Sequence, residues 1–118
     1  MIRSVANIML SVKDLDAACI WYQDILGLKL AYKNSKTGYA EFDVGGTRVA
    51  LRTVEPYGNG GNPMLSLYTY RLEQTVEVLK GRGVQFLDHG EVQTEFYGRH
   101  LRLQDPDGNI ITLFEAND

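Results

Sequence analysis

The sequence predicts an α+β fold in which two βαβββ modules form a curved mixed sheet around a cleft. Three observations predict it: alternation of apolar and polar residues in short runs, two segments with helical apolar spacing, and a second half that repeats the order of the first. A chain of 118 residues is long enough for one well-buried core but too short for two ordinary domains. We therefore expect a single domain, with module 1 over about residues 1–56, a linker over about 57–62 and module 2 over about 63–118.

The first module opens with a strand over residues 5–12. Alternate residues of a strand point to opposite faces, which places Ile8, Leu10 and Val12 on one face and Asn7, Met9 and Ser11 on the other. Asp14 can then cap a helix whose apolar residues recur at spacings of three and four. Gly27 is expected to end this helix, because glycine readily adopts the left-handed conformation found after helices.

Three strand-like runs complete the first module, around residues 29–33, 39–44 and 47–54. Gly45 and Gly46 lie between the last two runs and predict a hairpin turn, since both accept positive φ. The first half of the chain is therefore interpreted as βαβββ.

The same order returns after the loop of residues 55–62. Residues 64–70 alternate like a strand, and a helix from about Leu72 directs Leu72, Val76 and Leu79 inward before Gly81 and Gly83 stop it. Further strands are expected over 84–87, 98–104 and 109–115, with DPDGN (residues 105–109) as the last turn.

Sequence offsets relate the two modules as well. Gly46 precedes Ala50 by four positions, and Gly108 precedes Thr112 by the same four. This matching of offset and order supports an internal repeat.

The strand faces turned away from the helices carry chemically mixed side chains. Arginines and a carboxylate cannot lie in a dry core without close pairing, because an unpaired buried charge costs several kcal/mol. They could lie on the wet face of an open sheet, but apolar and aromatic side chains beside them are typical of a small-molecule cleft. The predicted ligand-binding residues are Asn7, Met9, Ser11, Tyr39, Glu41, Arg48, Arg52, Tyr68, His100, Arg102, Thr112 and Phe114.

Composition excludes several classes of partner. With 44% hydrophobic and 23% charged residues and a net charge of −3, the chain lacks the basic footprint expected of a protein that binds nucleic acid or an anionic membrane. The N-terminal residues show no signal-type apolar core, no apolar run approaches the length of a membrane-spanning helix, and the single cysteine, Cys19, cannot form an internal disulfide. A cytoplasmic location is the expectation.

The sequence shows no nucleophile arrangement. Cys19 lies on the helix face predicted to pack in the core, where a thiol is inert. His100 and Glu41 are the candidates for proton transfer, although a single histidine on a strand more often has a structural or binding role. Whether the chain is an enzyme stays open at this point.

The paired modules, the opening IMLSVKDLDAACIWYQDILGLKL and the closing LRLQDPDGNIITLFE resemble the vicinal oxygen chelate superfamily. This superfamily includes glyoxalase I, extradiol dioxygenases, and fosfomycin- and bleomycin-resistance proteins. The resemblance covers nearly the whole chain, and it implies the paired-module fold and a homodimer. It leaves the activity open, because isomerases, lyases, oxygenases and antibiotic-binding proteins share this scaffold.

In glyoxalase-like members, a divalent metal is held by side chains at equivalent places in each module. The resemblance carries those places onto Asn7, Ala50, Met64 (or Pro63) and Thr112. None of these residues is His, Asp or Glu, and an amide, a methyl group, a thioether or ring and a hydroxyl are poor ligands for such ions. We therefore expect no metal and no other cofactor, with a rearranged site at His100 and Glu41 as the alternative.

The leading functional hypothesis is a metal-independent protein that binds a small organic molecule, similar in kind to the bleomycin-resistance proteins. A metal-dependent lyase or dioxygenase with a rearranged site is one alternative. A cofactor-free isomerase or epimerase, with His100 or Glu41 as its base, is another.

Overall fold

Each half of the chain forms its own mixed β-sheet with a helix packed against one face. The computed structural model describes residues 1–53 and 63–117, so the predicted linker lies outside the described residues. The chain divides into two units, Met1–Pro63 and Met64–Asp118. Within the described ranges, no helix is long and apolar enough to cross a membrane.

The strands and the helix of the first unit are β1 (Ile8–Ser11), α1 (Leu15–Ile20), β2 (Lys29–Asn34), β3 (Tyr39–Val44) and β4 (Thr47–Arg52). Their sheet has the order β1-β4-β3-β2, with β1 parallel to β4 and the other pairs antiparallel. The Asp14 side chain caps α1 by accepting a hydrogen bond from the backbone N–H of Ala17 at 3.1 Å, as the sequence predicts.

The prediction of one regular helix up to Gly27 was wrong in its last part. After α1, residues Trp21–Ile25 form a π-helical turn in which the N–H of Leu26 bonds to the carbonyl of Trp21 at 3.1 Å. Gly27 follows with φ 79°, which is the left-handed conformation expected at the end of a helix. Apolar spacing did not reveal the wider turn, because the same residues serve both helix types.

Aliphatic and aromatic side chains between α1 and the sheet form the core of the first unit. Tyr22 and Phe42 are each 0% exposed, and their ring centroids lie 5.9 Å apart. Leu10, Ala40, Val49 and Leu51 complete this layer on the helix side of the strands. The opposite side of the sheet is thereby left for polar residues.

The second unit repeats this plan and adds one strand. Its elements are β5 (Leu65–Thr69), α2 (Leu72–Gly81), β6 (Gln85–Phe86), β7 (Gln93–Glu95), β8 (Gly98–Gln104) and β9 (Ile110–Glu115). The sheet has the order β5-β9-β8-β6, and the added strand, β7, also pairs with β8. Leu72, Val76 and Leu79 of α2 are buried, as the sequence predicts.

Gly38, in the turn between β2 and β3, is a position where a side chain would not fit. Its φ is +70°, and an added Cβ would collide with the Thr53 hydroxyl. Gly38→Ala is expected to lower the free energy of unfolding by about 2 kcal/mol, because it combines this collision with a left-handed backbone. Gly45→Ala is the matched control, since Gly45 also has positive φ but faces open space. Urea denaturation should show the smaller loss for Gly45→Ala, and equal losses would contradict the collision.

Glu115, at the end of β9, hydrogen-bonds to the first residue of α2. Its Oε2 accepts a hydrogen bond from the N–H of Leu72 at 3.0 Å, and its Oε1 lies 2.7 Å from Arg99 Nη1. The Leu72 hydrogen bond and then the Arg99 contact favour the carboxylate, so they lower the pKa of Glu115.

The lowered pKa of Glu115 predicts a pH-dependent stability. Since the folded pKa lies below the unfolded one, the stabilisation is complete above the unfolded pKa and is lost as pH falls through the folded pKa. The unfolding free energy of the wild type should therefore exceed that of Glu115→Gln at neutral pH, and the difference should shrink in acid. Denaturation curves over a pH series measure this, and a difference independent of pH would contradict it.

Candidate functional site

The face of the first sheet that is turned away from α1 carries the predicted polar residues. The strand register brings them into two adjacent rows. The rows are Met9, Ala50 and Glu41, and Ser11, Arg52 and Tyr39.

Four side chains of this face are linked by polar contacts. Asn7 Nδ2 donates to the Tyr39 hydroxyl at 3.3 Å, and that hydroxyl donates to Glu41 Oε2 at 2.5 Å. Arg48 Nη1 lies 3.7 Å from Glu41 Oε1. The hydrogen bond to Glu41, together with burial, raises the pKa of Tyr39, so the phenol stays protonated and acts as a donor. The Glu41 carboxylate is therefore hydrogen-bonded and partly neutralised.

The corresponding face of the second sheet lines an open cleft of about 540 Å³. Its register again forms two rows, with Thr112 between Ser66 and Arg102, and Phe114 between Tyr68 and His100. The cleft is lined by Met64, Ser66, Asp88, Gln93, Tyr97, His100, Arg102, Thr112 and Phe114.

Aromatic rings form one side of this cleft. The His100 ring stacks on Tyr97, with centroids 5.5 Å apart and planes at 18°, and lies 5.2 Å from the ring of Phe114. Both ring nitrogens of His100 are buried and have no hydrogen-bond partner among the described residues. An unpaired buried polar group costs about 1–3 kcal/mol. A molecule or rearrangement that supplied a partner to this imidazole would therefore be favoured.

A charged pair forms another side of the cleft. Arg102 Nη2 lies 2.9 Å from Asp88 Oδ2, and the two side chains are 40% and 42% exposed. An ion pair this accessible contributes about 0.2–1 kcal/mol. Asp88 and His89 have φ of 52° and 57°, a left-handed conformation that Asp and His adopt more often than most residues other than glycine. The turn that presents Asp88 is thus left-handed.

The predicted ligand-binding residues fall into two groups, one in each unit. Of the second group, His100, Arg102, Thr112 and Phe114 line the cleft. Tyr68 is 79% exposed and lies 6.2 Å from Phe114, ring centroid to ring centroid. The first group, on the first sheet and at its edge, comprises Asn7, Met9, Ser11, Tyr39, Glu41, Arg48 and Arg52. The two proton-transfer candidates are divided, with Glu41 in the first unit and His100 in the second.

Five residues that line the cleft are outside the predicted ligand-binding set: Met64, Ser66, Asp88, Gln93 and Tyr97. Asp88 lies in a short 3₁₀ turn, and Gln93 lies in the added strand β7. Tyr97 is 56% exposed and precedes β8. The tripeptide DHG at 88–90 is a recognisable turn signal, but nothing local indicates that the turn lies beside Arg102.

The residues that the resemblance places at metal-ligand positions are poor ligands for a divalent ion. Ala50 and Thr112 occupy matching places in the two sheets, as the sequence offsets indicate. Ala50 is 0% exposed and offers only a methyl group. The Thr112 hydroxyl lies 3.7 Å from Met64 Sδ, while the Asn7 amide donates to Tyr39. In residues 1–53 and 63–117, no three His, Cys, Asp or Glu side chains are grouped as a metal site would require.

Cys19, the one thiol, lies on α1 and is buried in the first unit. It is 3% exposed, and burial raises its pKa. A thiol with a raised pKa and little access to solvent is a poor nucleophile, as the sequence predicts.

Two βαβββ modules, each with a polar sheet face opposite its helix, define the class of fold to which this chain belongs. Residues 4–113 match the family model of the Glyoxalase/Bleomycin resistance protein/Dioxygenase superfamily, and the chain belongs to that superfamily. The family expected from the sequence is therefore confirmed, and the α+β fold with βαβββ modules is confirmed with it.

Individual relatives agree with this assignment. The uncharacterised protein YraH of Bacillus subtilis is 26% identical, over 92% of this chain and 95% of that protein. A superfamily member from Sphaerobacter thermophilus has a TM-score of 0.79 at 27% identity, covering 98% of this chain and 99% of that one. The fosfomycin resistance protein FosX from Listeria monocytogenes has a TM-score of 0.78 at 18% identity, covering 99% and 96%, and shares the fold alone.

Proposed function

We propose that this protein binds a small organic molecule without the help of a metal ion. The observation that carries the proposal is the chemistry of the four family ligand positions. They present an amide already engaged with Tyr39, a buried methyl group, and a thioether in contact with a hydroxyl. Such groups hold divalent ions weakly, but the amide and the hydroxyl are ordinary hydrogen-bonding groups for an organic ligand.

The cleft of the second unit supports the same proposal. It combines the aromatic surface of Tyr97 and Phe114 with the hydroxyls of Ser66 and Thr112 and the guanidinium of Arg102. A concave surface that combines aromatic rings with polar groups is typical of a small-molecule site. Its volume of about 540 Å³ lies in the range of drug-sized ligand pockets.

The polar network of the first unit is a separate candidate surface for binding a ligand. Asn7, Tyr39, Glu41 and Arg48 hold one another by the contacts described above. Side chains that are already ordered lose less conformational entropy when a ligand binds. We therefore propose that this network presents fixed donors and acceptors, with Met9, Ser11 and Arg52 beside it.

A thermal-shift screen of antibiotics, thiol conjugates, catechols and carboxylates tests the proposal. A ligand at about one hundred times its dissociation constant should raise the free energy of unfolding by roughly 2.7 kcal/mol. We expect the same shift in the presence of a chelator. Ligands that bind only when zinc, nickel, manganese or iron(II) is added would instead identify the alternative, a metal-dependent lyase or dioxygenase.

The second alternative, a cofactor-free isomerase, makes a different prediction for two variants. If His100 or Glu41 were a general base, His100→Ala or Glu41→Gln would abolish turnover while ligand binding persisted. The proposed binding role predicts no turnover in the wild type and weaker binding in both variants. Isothermal titration combined with product analysis on each confirmed ligand separates these results.

We also propose that the protein forms a homodimer. The second unit exposes large aromatic side chains, including Tyr70 at 62% and Phe96 at 100%, which a second copy could cover. Sedimentation equilibrium at micromolar concentration should give twice the monomer mass, and a monomer under those conditions would contradict the proposal.

A further inference from the structure

The cleft of the second unit contains a cation that is paired with a carboxylate of the same chain. Arg102 and Asp88 are the Asp, Glu, Lys or Arg side chains that line it among the described residues. They form one ion pair, at 2.9 Å. Because both side chains are partly exposed, a solute in the cleft can reach the guanidinium.

Asp88 lies in a left-handed turn. Asp88, His89 and Gly90 all have positive φ, between 52° and 71°, a conformation that Asp and His adopt more often than most residues other than glycine. The turn lies between β6 and β7, which pair with separate parts of β8, and the Leu87 N–H bonds to the Arg102 carbonyl at 2.9 Å. The sheet therefore anchors the segment on both sides, and the Asp88 turn connects the two anchored strands. Such a turn can change conformation without breaking the sheet.

The aromatic side of the cleft begins one row away from Arg102. His100 precedes Arg102 by two residues on β8, which is about 7 Å along a strand. Phe114 is the cross-strand partner of His100, and Tyr97 stacks on the His100 ring. An aryl ring bearing a carboxylate has the length to bring its anionic group to Arg102 and its ring to this aromatic row.

We propose that the cleft of the second unit binds an aromatic carboxylate, and that Asp88 occupies the place of the ligand's carboxylate on Arg102 until the ligand displaces it. This inference rests on the proposed binding function and narrows it to one ligand class. Arginine pairs with either carboxylate by the same charge-assisted hydrogen bonds. The ligand gains ring contacts that Asp88 lacks.

Isothermal titration with benzoate, benzamide, cyclohexanecarboxylate and acetate tests the ligand class. Benzoate should bind most tightly, because it alone combines an anion with an aromatic ring, and its affinity should fall as salt is added. Equal affinity for benzamide, or for cyclohexanecarboxylate, would overturn the inference. So would an absence of benzoate binding.

Two variants test the exchange of carboxylates. Asp88→Asn removes the competing charge and keeps a residue that tolerates positive φ, so benzoate should bind about fivefold more tightly. Arg102→Gln should weaken benzoate binding about tenfold or more. Glu95→Gln, which removes the same charge from β7 outside the cleft lining, is the matched control and should leave the affinity unchanged.

The displacement of Asp88 can fail while metal-independent binding of a small molecule still holds, and the variants distinguish the two results. Misfolding cannot explain a gain of affinity in Asp88→Asn alongside a loss in Arg102→Gln. Unchanged or weaker benzoate binding in Asp88→Asn, or an equal gain in Glu95→Gln, would overturn the displacement of Asp88. If the displacement of Asp88 is overturned, neutral ligands found in the thermal-shift screen would still support metal-independent binding. If no compound class binds, both the displacement of Asp88 and the metal-independent binding function are contradicted.

Discussion

Asp105→Ala is expected to lower the free energy of unfolding by about 3 kcal/mol, because it leaves buried donors without an acceptor. Asp105 is 5% and Asn109 is 6% exposed. The Asp105 carboxylate accepts hydrogen bonds from the Asn109 N–H and from Asn109 Nδ2, both at 2.8 Å. It also accepts one from the N–H of Asp107 at 2.9 Å.

Asp105→Asn is the matched control for this prediction. It keeps one oxygen for the two backbone N–H groups but turns an amide donor toward Asn109 Nδ2. Denaturation should therefore give an intermediate loss, and an alanine variant as stable as the wild type would contradict the role of the turn. The same variants should weaken ligand binding, because this turn joins β8 and β9, the strands that carry His100 and Thr112.

Phe42→Ala is expected to destabilise the first unit by about 3–5 kcal/mol, the usual cost of removing a buried phenylalanine ring. Phe42 is 0% exposed, and its ring lies 5.9 Å from the ring of Tyr22, centroid to centroid. It lies on β3 next to Glu41, so the cavity would form directly beneath the polar network.

Phe42→Leu measures how much of that loss comes from the cavity. Leucine fills more of the space and stays apolar, so its loss should be clearly smaller than that of alanine. Thermal and urea denaturation of both variants make the comparison. Equal losses would show that the site relaxes around the change and that Phe42 is not the packing centre inferred for it.

The side of each strand on which a residue lies could be predicted from the sequence. The register of β3 and β4 places Glu41 opposite Ala50, and that of β8 and β9 places Arg102 opposite Thr112. Successive side chains of a strand point to opposite faces of the sheet, so the face on which a residue lies is correct even when the predicted ends of the strand are wrong by a residue or two. The predicted match between Ala50 and Thr112 holds for the same reason.

The contacts among those side chains could not be predicted from the sequence. That Tyr39 donates to Glu41, or that His100 stacks on Tyr97, depends on side-chain rotamers and on the path of a loop. Asp and His adopt positive φ more often than most residues other than glycine, but residue type alone does not show that Asp88 and His89 both do so in this turn. Strand β7 is three residues long, Gln93–Glu95, and is polar throughout, so it shows no apolar alternation.

The central claim is that the positions that hold a metal in glyoxalase-like relatives are chemically unsuited to one here. Equilibrium dialysis of the purified protein against zinc, nickel, manganese and iron(II), followed by elemental analysis and ligand titration, tests it most directly. We predict far less than one retained ion per chain and a ligand affinity that no metal changes. One tightly held ion per chain, whose removal by a chelator also abolished ligand binding, would contradict the claim.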